Sequence, residues 1–487
     1  HPRERLDSGG VAVVGLVRPA FPVELAPELI RVGDRGGAAV AERGDPLGAL
    51  AADGVVADDQ SVGREHGACL GLERDDGGHA PGLGVTTENR PAPQRPSVFA
   101  AYRERMPSRR DLLATIGAGA TFGLAGCAGG DCTPAEPVGI EWPHLGGDAR
   151  NAAAAPELPA PSRVAERWRT TLAPDGGLDA FAGVVADGDR LVALGRSGDA
   201  GFRSQFDVRT GDRTAHARLP ATIAAPPVLV DGHTAVVFQT ADGASLRVLD
   251  GAEETDRHSL ANRPTTPRAA DGVLFGGDSA GAYAYAVGDG ERWRQPFGDP
   301  DAAPAVPYPP AVDDEHVYVT VTSESDRGVY ALDRASGEIR WSAPGLRAFR
   351  APARSGSLLL VPAKSELVAL DAATGEEQWT TPTADDHPAF PPPAGLGERL
   401  ALSDGGTVHG IDRDTGEKRW STDLGSPDRP IVVGDSVIVA ADGVVALDIA
   451  DGSERWRLDD VSLAAPLGNG VLVTRRDDLI ACTACEN

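Results

Sequence analysis

The chain has 487 residues and carries 72 Asp and Glu against 46 Lys and Arg, a formal net charge of −26. Only Lys364 and Lys418 are lysines, so no basic stripe exists to neutralise a phosphate backbone, which argues against nucleic acid as a partner. An acidic, lysine-poor surface suits concentrated salt, where counter-ions screen its self-repulsion.

Residues 1–105 hold no Met, Lys or Trp and show little apolar periodicity. Too few patterned apolar residues are present to offset the entropy of ordering them. They are read as a spurious or disordered upstream extension, with a genuine N-terminal domain as the alternative. The single methionine, Met106, opens MPSRRDLLATIGAGATFGLAGC. Arg109 and Arg110 follow Ser108, an apolar run extends from Leu112 to Leu124, and Leu124-Ala125-Gly126-Cys127 ends it. A run of that length is too short to span a bilayer. Residues 106–126 resemble a twin-arginine export signal with a lipoprotein cleavage box, in which small residues admit a peptidase and the Cys127 thiol accepts lipid. A buried Ala/Gly-rich helix is the alternative. The resemblance implies a protein that begins at Met106, leaves by the twin-arginine route and is lipid-anchored through Cys127 to the outer face of the cell membrane. From Cys127 onward 55 acidic residues stand against 32 basic ones, a balance that resembles the proteins of halophilic archaea. Residues 127–160 are read as a tether and lead-in segment.

Residues 161–487 are periodic. Paired apolar segments joined by a polar turn begin at Phe181, Ala225, Thr266, Tyr308, Arg350, Phe390, Arg429 and Ala464. Each is followed by a second hairpin, clearest in VYALDRASGEIRW, LVALDAATGEEQW, VHGIDRDTGEKRW and VVALDIADGSERW. The strand ends at an Asp that accepts turn amides, a Gly supplies the positive φ, and the next strand reaches Trp. The Trp spacings, 38, 41 and 36 residues, are those of an array of supersecondary units. Eight four-stranded antiparallel units follow, an all-β, eight-bladed β-propeller. The last unit lacks its fourth strand, so the strand around Trp168 is predicted to close the ring against Leu479 to Cys482 and leave no open edge. Closing positions are then Trp168, His216, His258, Trp293, Trp341, Trp379, Trp420 and Trp456, the six tryptophans being read as blade-docking residues.

The hairpin phrase resembles the PQQ-type, tryptophan-docking repeat of quinoprotein propellers, shared with non-enzymatic relatives such as BamB, and EWPHLGGDARNAAAAP (141–156) is similar to the lead-in of exported relatives. The resemblance covers about residues 141–487 and implies the fold; one scaffold hosts many functions. Quinoprotein enzymes hold PQQ and Ca²⁺ at the axis with a Trp platform, a vicinal Cys pair and carboxylates. Adjacent cysteines do not occur in this chain, and its tryptophans sit at docking positions. The expectation is therefore a monomeric, non-catalytic binding or scaffold propeller with no cofactor, metal or catalytic residue, a protein partner in the cell envelope and a membrane contact through lipid. A PQQ-dependent dehydrogenase is the alternative. His216 and His258 are read as core substitutions, and DRDTGE at Asp412 as an ordinary turn, since it lacks the later ligands of a calcium loop. Cys482 and Cys485 form a lone CxxC, read as a structural disulfide at a strand-to-turn junction, with free thiols and redox or metal chemistry as alternatives. The long connections from Phe297 to Pro310 and from Thr383 to Pro393 are candidate contact surfaces.

Overall fold

The structure, a computed structural model, describes residues 132–486 apart from 174–176, 198–199, 220–222, 224, 241–242, 299–304, 385–389 and 396. Arg109, Arg110 and Cys127 lie outside the described residues. Among the described residues the regular elements are β-strands, gathered in eight antiparallel blades of a propeller. Blade one takes residues 180–219, and the others follow at 228–260, 268–296, 311–344, 353–382, 394–423, 431–458 and 462–486. Inner strands such as Val228–Val230 and Ile431–Val433 are buried throughout. Outer strands such as Ile339–Pro344 and Lys418–Asp423 alternate exposed with half-buried residues, because one of their faces meets water. In blade six the inner strand shrinks to one bridge, Ala394 to Ala401. Pro391, Pro392 and Pro393 precede it and have no N–H to donate to a ladder.

Each Asp–Gly–Trp hairpin has the same construction. Asp333 Oδ1 accepts the N–H groups of Ala335 and Ser336, and Asp412 Oδ1 those of Asp414 and Thr415. The outer strand then carries one residue too many: Ala331 faces Trp341 but Leu332 faces Ile339, so Arg340 bulges. Arg419 and Arg455 stand at the same register shift. A bulge re-aims its side chain, and here it turns Arg340 onto Asp333 at 2.5 Å, Arg419 onto Asp412 at 2.9 Å and Arg455 onto Asp448 at 2.6 Å. The guanidinium beside each holds the Asp333 carboxyl well below the usual range and the Asp412 carboxyl at about 2.

The ring closes through both ends of the described chain. Val164–Thr171 pairs antiparallel with Asp478–Glu486, placing Trp168 opposite Ala481 and Thr170 opposite Leu479. The same C-terminal strand then pairs with Thr133 and Pro134 through Glu486 and Cys485. This extension overturns the expected Cys482–Cys485 disulfide. The strand does not give way to a turn at Cys482, and residues three apart in a strand lie roughly 10 Å apart on opposite faces, too far to bridge. Cys485 is bonded to Cys132 instead, with Cα atoms 5.2 Å apart across 353 residues of sequence. Cys482 is buried in the strand and takes no part in that bond.

Candidate functional site

Blade contacts are the first recurring chemistry. Trp168, Trp293, Trp341, Trp379 and Trp420 each donate the indole N–H to a carbonyl of the next blade, on Val208, Arg334, Ala372, Arg413 and Ile449, at 2.7–3.0 Å. That acceptor is always the residue after the turn Asp. In all five cases its own N–H donates to the turn between the first two strands of its blade, as from Val208 to Asp189 and from Arg334 to Glu315. The two turns of each blade therefore lie side by side on one face of the ring, the turn face. The other face, the link face, carries the turns between second and third strands and the blade-to-blade connections. Trp456 meets no such turn in blade eight, and it donates to Pro161 of the lead-in segment at 2.9 Å.

The turn glycines serve a purpose beyond positive φ. A Cβ on Gly211, Gly337 or Gly375 would meet the ring of Trp168, Trp293 or Trp341 at 2.6, 2.7 and 2.6 Å. Glycine is needed there because the neighbouring blade's indole lies on the turn. At the two positions without tryptophan, His216 is 2.9 Å from Ser204 Oγ, and His258 stacks on Tyr285 at 4.5 Å between ring centres.

The axis is governed by residues 138–155. Gly468 of blade eight donates to the Val138 carbonyl, Trp142 exchanges two backbone bonds with Ala186 of blade one, and Leu229 of blade two donates to Pro143. Ala269 of blade three donates to His144 Nε2 at 2.7 Å. Val312, Arg354, Gly395 and Val432, from blades four to seven, then donate to Ala149, Arg150, Ala152 and Ala153. The path visits every blade in ring order, always at the turn-face end of the inner strand. It fills that mouth of the channel with the chain itself.

Asn151 is the hub of this plug. Wholly buried, it donates through Nδ2 to the Pro352 carbonyl, and its Oδ1 accepts Arg268 at 2.7 Å and Arg429 at 2.8 Å. Blades three, five and seven are thus joined through one side chain. Asn151 and Ala153 adopt φ of 57° and 45°, left-handed values that non-glycine residues hold only when surrounding contacts fix them. His144, fully buried, uses its Nε2 lone pair on Ala269, and burial first, then Arg268, holds it well below the ordinary histidine range, so the ring is neutral. None of Asn151, His144, Arg268 or Arg429 was singled out from sequence. Trp142, an indole outside the period, was the available signal.

The two long connections leave from the link face. Their described ends pack inward: Phe297 lies 4.8 Å from Tyr330, ring to ring, and Ala384 N–H donates to Asp404. On the turn face a cleft of about 590 Å³ lies between blades three and four, edged by Asp271, Glu315, His316 and Arg340. Charges of both signs line it, with Arg334 paired to Asp271 at 2.6 Å. For a quinone stacked on an axial tryptophan the described residues do not fit. Five indoles are engaged in blade contacts, Trp456 is bonded to the lead-in segment, and Trp142 is buried against Gly147 within the plug.

A family model described as outer membrane protein assembly factor BamB, a PQQ-repeat propeller, matches residues 162–381 and again 363–484. The chain belongs to this family. Among solved structures, this BamB-family propeller is similar to BamB from Moraxella catarrhalis, with 16% identity, a TM-score of 0.52, and coverage of 66% of this chain and all of that one. It is also similar to a computationally designed protein, Ika8, at 15% identity and a TM-score of 0.50, covering 64% and 98%. A quinohemoprotein alcohol dehydrogenase from Pseudomonas putida HK5 matches at 12% identity and a TM-score of 0.50, covering 70% and 80%. At these identities the likeness shows the fold alone. No curated protein matches the chain in sequence.

Proposed function

We propose that this BamB-family propeller is an exported lipoprotein of haloarchaeal type, anchored through Cys127, that serves as a non-catalytic binding or scaffold module at the cell surface. The observation that carries the scaffold reading is the plug: residues 138–155 occupy the turn-face mouth of the axis and bond to all eight blades. Together with the indoles engaged between blades, this favours contact through exposed loops over chemistry at the axis. The family's link to an assembly factor supports a protein partner in the envelope. The export signal and the cysteine box support the anchor.

The test is fractionation of producing cells, followed by cross-linking in membranes and identification of the captured protein. Cys127→Ala should move the protein to the soluble fraction, and Arg109→Lys with Arg110→Lys should stop its export. Stoichiometric binding of PQQ with Ca²⁺, accompanied by turnover of an alcohol or sugar, would replace the scaffold reading with the dehydrogenase one.

A further inference from the structure

We infer that the Cys132–Cys485 disulfide sets which side of the propeller faces the lipid surface: the turn face lies toward the membrane and the link face points away. The inference rests on the anchor at Cys127 proposed above. Four residues separate Cys127 from Cys132, and the five Cα steps between the two cysteines, fully extended, span at most roughly 18 Å. The chain is then fixed at once. Cys132 is bonded to Cys485, and Thr133 and Pro134 pair with Glu486 and Cys485.

The register gives the direction. Thr133 lies opposite Glu486 in an antiparallel pair and the Cys132 Cα is 5.2 Å from that of Cys485, so Cys132 sits at the far end of the strand that begins at Asp478. Glu486 is the turn-face end of that strand, because Ala484, in the place of the other blades' turn residues, donates to Asn469 between the first two strands of blade eight. Asp478 is the link-face end, where it meets Arg475 across the turn between second and third strands. At about 3.3 Å per residue, the seven steps from Asp478 to Cys485, beside which Cys132 lies, rise roughly 23 Å. If the link face lay on the bilayer, Cys132 would stand about that far above it, out of reach of an 18 Å tether. With the turn face down, the tether reaches easily.

Charge attraction does not supply this orientation. Asp271, Asp314, Glu315 and Asp414 all lie on the turn face, and an anionic lipid surface repels them. The short tether and the covalent bond supply it. Without the disulfide, the tether could peel back to Val138, whose N–H is held by Asn469. Eleven residues would then span roughly 38 Å, enough for either face.

The scarcity of lysine offers a clean readout. Lys364 is exposed on the link face of blade five, and Ala373 is exposed on its turn face. Membranes from cells making the full-length chain are loaded with a lipid whose headgroup carries a short amine-reactive arm, and adducts are located by mass spectrometry. In the Ala373→Lys protein the introduced amine should be labelled at least five-fold more than Lys364. Adding Cys132→Ser should bring that ratio toward one while the protein stays in the membrane fraction. Equal labelling in the disulfide-bonded protein, or excess at Lys364, would overturn the orientation and leave the anchor standing. Protein found only in the soluble fraction would remove the anchor and this inference with it.

Discussion

The indole–glycine contact between blades can be tested against an internal control. Gly375 and Gly345 have nearly equal φ, +77° and +81°, but a Cβ on Gly375 would lie 2.6 Å from the Trp341 ring, whereas one on Gly345 would meet nothing within 4 Å. Alanine at either position incurs the left-handed penalty of about 1–2 kcal/mol. At Gly375 it also forces apart two packed blades, and overpacking of that kind costs about 1–3 kcal/mol more. Gly375→Ala should therefore be less stable than Gly345→Ala by about 1–3 kcal/mol, read from urea unfolding at one fixed salt concentration with unchanged slope. The extra term belongs to the ring atoms, so it should vanish in a Trp341→Leu background, a coupling that a double-mutant cycle isolates. Equal losses at the two glycines, or an excess that survives removal of the indole, would refute the account.

Trp168→Ala should destabilise at least as much as Trp379→Ala, since both donate to a neighbouring blade and half-buried Trp168 also lies in the strand that closes the ring; about 3–5 kcal/mol is usual for a buried Trp such as Trp379, and a smaller loss at Trp168 in thermal melts would count against closure. Asn151→Leu removes the acceptor shared by Arg268 and Arg429. A loss of about 2–3 kcal/mol is expected, with faster hydrogen exchange at Ala153 and Val432, and an unchanged exchange pattern would deny the hub its role. His409 is pushed down to about 4 by burial and then by Lys418, and His144 is lowered too. The unfolded chain thus binds protons first, and this contribution to stability is full above pH 6.5 and lost as pH falls toward 4. His409→Asn should flatten that limb of the urea midpoint against pH, and an unaltered slope would show that His409 does not carry it.

The eight blades were legible because two signals agree: paired apolar segments give the inner strands, and the Asp–Gly–Trp phrase gives the outer hairpins. The count came right only when the strand at Trp168 was assigned to blade eight. The course of residues 138–155 was not legible, since its bonds run mostly through backbone carbonyls, which a sequence does not spell. Asn151 looks like any loop residue until Pro352, Arg268 and Arg429 surround it. The cysteine pairing failed for a related reason. Cys482 and Cys485 are neighbours in sequence, but the partner that extends their strand, Thr133–Pro134, lies at the far end of the described chain. A local argument could not see it.

Repeat arrays commonly change length by gaining or losing a unit, because each copy touches only its neighbours. Here residues 138–155 work as a measuring tape. Val138 meets blade eight, and the path ends at blade seven with Ala153 and Ala155 bonded to Val432 and Gly434, every blade between being met in turn. A ninth blade would have no contact of this series assigned to it, and a seven-blade closure would leave one idle. The copies are alike, and the segment that counts them is not. A change in blade number would therefore require the lead-in segment to be recut in the same step, which holds this ring at eight.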